Sequence, residues 1–218
     1  EEKAMKSRKL QLRTNPYKGK LLVFEGTDGA GKTTLISMTE HYIEGKHGIG
    51  TVLCVKQPTD LSRKTKLFQK MMYCEHHEDI DYRAVQLLTM SDRVQHSFEV
   101  PALKVGKTVI CDRYIYTSLA NMLARGYDKE LWFYEAAKHL LKPDVTFLAH
   151  VPPEAAIERI KSRPSECDRH LDEELLKRVS SEFLKIAKTN DFTVIDTNAE
   201  PERAFSAVKA SVYERGMK

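Results

Sequence analysis

The sequence predicts an α/β fold in three layers, with helices on both faces of a five-stranded parallel sheet. Five short apolar runs read as strands buried on both faces: LLVF at 21–24, TVLCV at 51–55, TVICD at 108–112, VTFLAHV at 145–151 and FTVID at 192–196. Longer segments with helical spacing separate them, and crossover helices of this kind impose parallel pairing. In such a sheet ligands sit beyond the carboxyl ends of the strands. The positions to inspect are therefore Gly26 to Thr33, Lys56 to Thr59, Asp112 to Tyr114 and Thr197 to Ala199.

Residues 1–19 are a basic-biased extension. They carry no interleaved aromatics on which bases could stack, so a solvated tail or a docked accessory strand is expected there. Residues 20–218 are long enough for a single domain with one well-buried core. Within it one helix is expected from Tyr82 to Val105, stopped at Gly106, and another from Pro153 to Arg163, with proline at its start and Pro164 beyond its end. A third is expected from Asp172 to Thr189. The polar stretch SRPSECDRHLD, about residues 162–172, separates the last two and is expected to act as a lid.

Thirty-five basic and 31 acidic residues are mixed along the chain, giving a net charge of +4, so no nucleic-acid partner is expected. Cys54, Cys74, Cys111 and Cys167 fall at no metal-ligand spacing and read as reduced thiols. No apolar run approaches a membrane span and no secretory h-region is present, so a cytoplasmic protein without membrane contact is expected. The Cys74–Asp79 tract reads as a solvated loop, because adjacent histidines do not share a helix face. Met71-Met72 and Trp132-Phe133-Tyr134 read as core or dimer contacts.

The most specific feature is GTDGAGKT, Gly26 to Thr33, which fits G-x-x-x-x-G-K-[ST] in full, after a strand and opening a helix. Backbone N–H groups in such a turn, with the positive end of the following helix, surround a polyphosphate, and glycines let the backbone approach it. This is the P-loop of a nucleoside-triphosphate site. Lys32 would bridge the β- and γ-phosphates of ATP, and the Thr33 hydroxyl would ligate Mg²⁺.

A P-loop alone does not separate a GTPase, a motor ATPase and a small-molecule kinase. No Asn-Lys-x-Asp guanine reader follows the late strands, which continue as HVPPE and DTNAE. A kinase needs a second anionic pocket. TVICDRY supplies one at a strand tip, with Asp112 placed to hold Mg²⁺ or its water and Arg113 to grip an acceptor phosphate through its fork of donors.

FEGTDGAGKTT, Pro58 after the second strand, SDRVQH on a helix followed by PAL, CDRYIYTSLA with ARG shortly after, KPDVTFL, and a lid carrying Arg163 and Asp168-Arg169 occur in one order over about residues 20 to 200. In these motifs the chain resembles the thymidylate kinase family. The resemblance implies a homodimeric P-loop kinase, with the Tyr82–Val105 helix at the subunit interface, that moves the γ-phosphate of ATP onto a nucleoside monophosphate, dTMP first among them. It implies that Asp28 meets the acceptor sugar, Arg113 its phosphate and Arg93 its base. Gly26, Gly29, Ala30, Gly31, Lys32, Thr33, Thr34, Arg159 and Thr197 would form the nucleotide side. Lys56, Thr89, Ser118, Asn121 and Met122 would join Asp28, Arg93 and Arg113 on the acceptor side. Gly29 stands where some members place an arginine, which implies that the transfer arginine comes from the lid region, where Arg159, Arg163 and Arg169 stand.

Three features depart from the family pattern. Thr89 occupies the place of a base-stacking Phe, Asn121 and Met122 the places of Tyr and Gln, and Lys56-Gln57-Pro58 the place of Arg-Glu-Pro. Stacking is worth roughly 1–3 kcal/mol per base and a net hydrogen bond about 0.5–1.5 kcal/mol. Without compensation thymine would bind roughly ten- to a thousandfold more weakly. The alternatives carried with dTMP are another nucleotide or phosphorylated metabolite as acceptor, with Tyr114, Tyr116 or Phe68 as a substitute stack in the dTMP case, and a catalytically silent nucleotide-binding module.

Overall fold

A computed structural model describes residues 9–73, 79–98, 101–164 and 171–214. Five strands, β1 (Leu21–Glu25), β2 (Val52–Lys56), β3 (Thr108–Asp112), β4 (Val145–His150) and β5 (Thr193–Asp196), form one all-parallel sheet in the order β2-β3-β1-β4-β5. All five runs expected as strands are strands. Because successive side chains alternate across a strand, the three central strands feed two cores. Leu21, Val23, Val109, Cys111 and Leu148 face one side, and Leu22, Phe24, Ile110, Phe147, Ala149 and Ile195 the other. Phe24 and Phe147 stack across β1 and β4 with centroids 4.9 Å apart, an aromatic pair worth about 0.5–1.5 kcal/mol beyond its burial.

The helices are α1 (Lys32–His47), α2 (Asp60–Arg63), α3 (Lys66–Tyr73), α4 (Tyr82–Phe98), α5 (Pro101–Lys104), α6 (Ile115–Ala124), α7 (Leu131–Ala137), α8 (Pro153–Lys161), α9 (Glu173–Asn190) and α10 (Pro201–Glu214). Helices α4, α6 and α9 cover one face of the sheet, and α1, α8 and α10 the other. Helix α9 starts because the Asp172 carboxylate accepts from the Leu175 N–H at 2.9 Å, and it ends at Asp191 in the left-handed region with φ 57°. Its Val179, Phe183 and Ile186 form a buried stripe at helical spacing.

The helix expected from Tyr82 to Val105 is two pieces, α4 and α5. Pro101 is the first residue of the second, a position where its missing N–H breaks no intrahelical bond. Residues 9–19 dock against the domain. Leu10 is buried in the core, and Arg13 forms a parallel bridge to Leu141, with the Arg13 N–H donating to Leu140 O at 2.8 Å and the Lys142 N–H to Arg13 O at 2.6 Å. Among the described residues no helix is long and apolar enough to cross a membrane.

Candidate active site

β1 delivers the chain into the phosphate turn. Gly26, Gly29 and Gly31 have φ of 138°, 77° and 79°, a region other residues seldom enter. A Cβ at Gly29 would lie 2.4 Å from Ala156 O of α8, so this turn is pressed against backbone and an arginine here would need the loop to move. Lys32 is the first residue of α1, and its ammonium donates to Gly26 O at 3.1 Å and Thr27 O at 2.7 Å. Burial, then the nearby Arg113 charge, pull its pKa down to about 7, against Asp28, Asp112 and Glu25, which favour the charged form. Thr33 and Thr34 follow in the exposed first turn of α1, which contains no acidic residue, so its positive end is not neutralised.

Arg159 borders the phosphate turn. From α8 it donates to Gly29 O at 3.4 Å and to Thr197 O at 3.1 Å, joining the phosphate turn to the loop after β5. Thr197 is in turn fixed by bonds from its N–H and hydroxyl to His150 O, both 2.8 Å. Arg163 lies two residues beyond α8 and is exposed. Arg169, Cys167 and most of the expected lid lie outside the described residues, as do Cys74 and residues 75–78.

The adjacent strand β3 carries the other half. Arg113, just past its end, has φ 67°, a strained conformation for a side-chain-bearing residue. Its guanidinium donates to Gly26 O at 2.9 Å and to the Thr117 hydroxyl at 3.3 Å, and forms an ion pair with Asp28 of the phosphate turn. Asp112 Oδ1 is buried without a hydrogen-bond partner. A buried carboxylate oxygen left so is costly unless a cation or its water meets it. A carboxylate oxygen of this kind has the chemistry that suits Mg²⁺. Lys56 pairs in register with Asp112 and is exposed.

Arg93 and Thr89 lie on α4. Arg93 is 1% exposed; its Nη1 donates to Thr89 O at 3.2 Å and its Nε has no partner. Burial pulls its pKa below the usual guanidinium value, and Glu25, Cys111, Asp92 and Tyr82 oppose the shift. The Thr89 hydroxyl donates to Gln86 O at 3.2 Å. On α6, Ser118 is buried, and Met122 is 1% exposed within the core. Both ends of the Asn121 amide are engaged: its Nδ2 donates to Thr117 O at 2.9 Å, and its Oδ1 accepts from Arg125 at 2.7 Å. The Arg125 guanidinium in turn lies 4.0 Å from the Tyr82 ring centroid.

Several residues not singled out in the sequence belong to this arrangement. Arg63 of α2 is half-buried, donates to Pro58 O at 2.6 Å, and its charge is coupled to Arg113, Asp112 and Asp28. Asp92 holds the loop after β2 against α4 by accepting from the Thr59 N–H and hydroxyl, each at 2.7 Å. Gln57, joined to Pro58 by a cis peptide, is 2% exposed, contacts His96 at 2.8 Å and has an unpartnered buried Oε1. Glu25, the last residue of β1, is completely buried, and burial pushes its carboxyl up to about 7 despite its bonds to Thr117 and the charges of Arg113 and Arg93. An acidic residue closing an otherwise apolar strand was the available signal for it.

Comparison with known proteins agrees with this geometry. The thymidylate kinase family model matches residues 24–208. A probable thymidylate kinase of Pyrococcus horikoshii is 37% identical over 176 residues, 78% of this chain and 84% of that protein. A thymidylate kinase of Limosilactobacillus reuteri is 31% identical over 207 residues, 90% of this chain and 97% of that protein. In fold, the chain superposes on the crystal structure of thymidylate kinase from Ehrlichia chaffeensis with a TM-score of 0.68 at 24% identity, covering 89% of this chain and 98% of the other. A P-loop and an Asp-Arg strand tip at the carboxyl edge of one parallel sheet, with a family model spanning most of the length, place this chain in the thymidylate kinase family.

Proposed function

We propose that this protein transfers the γ-phosphate of ATP to the phosphate of dTMP, giving dTDP and ADP. The observation that carries the reading is the ion pair between Asp28 of the phosphate turn and Arg113 of the neighbouring strand tip. It joins a triphosphate-binding loop to a guanidinium suited to a second phosphate. The names of the curated relatives support dTMP over other acceptors.

Phosphoryl transfer is mainly positioning and charge stabilisation. The turn from Gly26 to Thr34 and the end of α1 bind the triphosphate, with Gly29, Ala30 and Gly31 letting it approach. Lys32 leaves its carbonyl partners to span the β- and γ-phosphates. Thr33 and Asp112 would hold Mg²⁺, which when bound neutralises phosphate charge. Arg113 and Arg63 grip the acceptor phosphate, whose ionised oxygen forms the new bond to the γ-phosphorus as the bond to the β,γ-bridging oxygen breaks. No proton transfer is required. Asp28, released from Arg113, meets the acceptor sugar. Arg93, Thr89, Ser118, Asn121, Met122 and Lys56 bound the base side. Arg159, Arg163 and Arg169 supply cationic charge to the transferring group, and closure of residues 162–172 excludes water, a competing acceptor. A homodimer through α4 and a cytoplasmic location complete the reading.

ADP release from Mg-ATP across dTMP, dUMP, UMP, CMP and GMP tests it, with Lys32→Ala as background. Preferred turnover of dTMP is the expected result; preference for another monophosphate, or none above background, overturns it.

A further inference from the structure

Glu25 has no place in the transfer scheme above, yet it sits under both halves of the site. It ends β1, one residue before the phosphate turn begins, and its side chain points to the α4 and α6 face of the sheet. Its Oε1 accepts from the Tyr114 N–H at 2.9 Å and the Thr117 N–H at 3.1 Å, and its Oε2 accepts from the Thr117 hydroxyl. These are amides at the start of α6 that no helical carbonyl can satisfy, and the Tyr114 side chain, at the N-cap, does not cap them. The Thr117 hydroxyl, with its proton directed to Glu25, turns a lone pair to Arg113 Nη1 at 3.3 Å. The same Nη1 donates to Gly26 O, the residue covalently next to Glu25.

Resting on the kinase reading above, we infer that Glu25 is a positioning residue: it seats the first turn of α6 and, through Thr117, fixes the Arg113 guanidinium against the phosphate turn. Arg113 needs such a brace. Its backbone is in a left-handed conformation, which persists only where surrounding contacts over-determine it. Its side chain must also stop short of full commitment to Asp28 in order to receive an acceptor phosphate. Ionised, as it is above pH about 7, Glu25 accepts all three bonds and carries charge opposite to Arg113. In Glu25→Gln the amide nitrogen becomes a donor toward Thr117, which reverses the polarity of the relay while keeping its size.

The test compares Glu25→Gln, Thr117→Val and Thr117→Ser in the full chain. Steady-state kinetics with dTMP and Mg-ATP should show the KM for dTMP raised about tenfold or more in Glu25→Gln and Thr117→Val, with the KM for ATP within about twofold. Thr117→Ser, which keeps the hydroxyl, should restore the wild-type value. Side-chain ¹H–¹⁵N NMR of the ligand-free protein reads the brace without any acceptor. Slowed rotation of the Arg113 guanidinium should be present in the wild type and Thr117→Ser and lost in Thr117→Val. A dTMP KM unchanged in Thr117→Val, or dTMP and ATP parameters falling together, overturns the role of Glu25. Wild-type failure to use dTMP would instead overturn the proposed function, and the NMR comparison would still decide the brace, with unchanged guanidinium rotation in Thr117→Val counting against it.

Discussion

Lys32 makes a quantitative prediction about nucleotide binding. In the free protein its ammonium is buried against two carbonyls, and burial with the Arg113 charge brings its pKa down to about 7. A bound triphosphate surrounds the same ammonium with negative charge and must raise the pKa by several units. At pH 8 the free protein then carries the Lys32 proton in only about a tenth of molecules, and at pH 6 in about nine-tenths, so binding Mg-ATP takes up about 0.9 proton at pH 8 and about 0.1 at pH 6. The same linkage weakens binding about tenfold between pH 6 and pH 8. Titration calorimetry in buffers of different ionisation enthalpy counts these protons directly. In Lys32→Met the uptake at pH 8 should fall to whatever Glu25, whose carboxyl also lies near 7, contributes. Uptake below about 0.2 proton at pH 8, or uptake unaffected by Lys32→Met, refutes the reasoning.

Glu25 and Lys32 also shape the stability of the ligand-free protein. Between pH 4.5 and about 7 the folded chain holds the Glu25 proton that the unfolded chain has released, so stability falls as pH rises through that window, by roughly 3 kcal/mol. Between about 7 and 10.5 the unfolded chain holds the Lys32 proton that the folded chain has released, so stability rises again. Urea midpoints should therefore pass through a minimum near neutral pH, with the acidic limb flattened in Glu25→Gln; a maximum there contradicts the burial of both charges. Gly29→Ala forces a Cβ to within 2.4 Å of Ala156 O at φ 77° and should cost roughly 1–3 kcal/mol, read as a lowered Tm, whereas an unchanged Tm means the turn is freer than it stands. Asp112→Ala should weaken Mn²⁺ binding in the ATP complex at least about tenfold by electron paramagnetic resonance, because it removes one of two protein oxygens proposed for the ion; unaltered binding would remove Asp112 from the metal site.

The strands, their parallel pairing and the phosphate turn were legible because each rests on a local pattern. An apolar run of five residues, or G-x-x-x-x-G-K-T at a strand end, carries its own physical reason. The start of α5 at Pro101, inside the helix expected from Tyr82 to Val105, was less legible, since the apolar pattern runs through that position. The polar residues beneath the site were not legible. Glu25 and Thr117 are 92 positions apart and acquire meaning only when β1 and α6 meet. Asn121 stands in the place of the family's Tyr, and Met122 in that of the base-reading Gln; the Asn121 amide is bonded to Thr117 within α6 and to Arg125 at its end. Met122 likewise is a core residue of α6.

The account centres on direct transfer between two nucleotides held at one sheet edge. Incubating the protein with dTMP and ATP labelled in the γ-phosphate, and resolving the products, tests it most directly. The account predicts label in the β-phosphate of dTDP, with little appearing as inorganic phosphate, and loss of the product in both Lys32→Ala and Arg113→Ala. Label found only as inorganic phosphate, or dTDP formed equally well without Arg113, would contradict it.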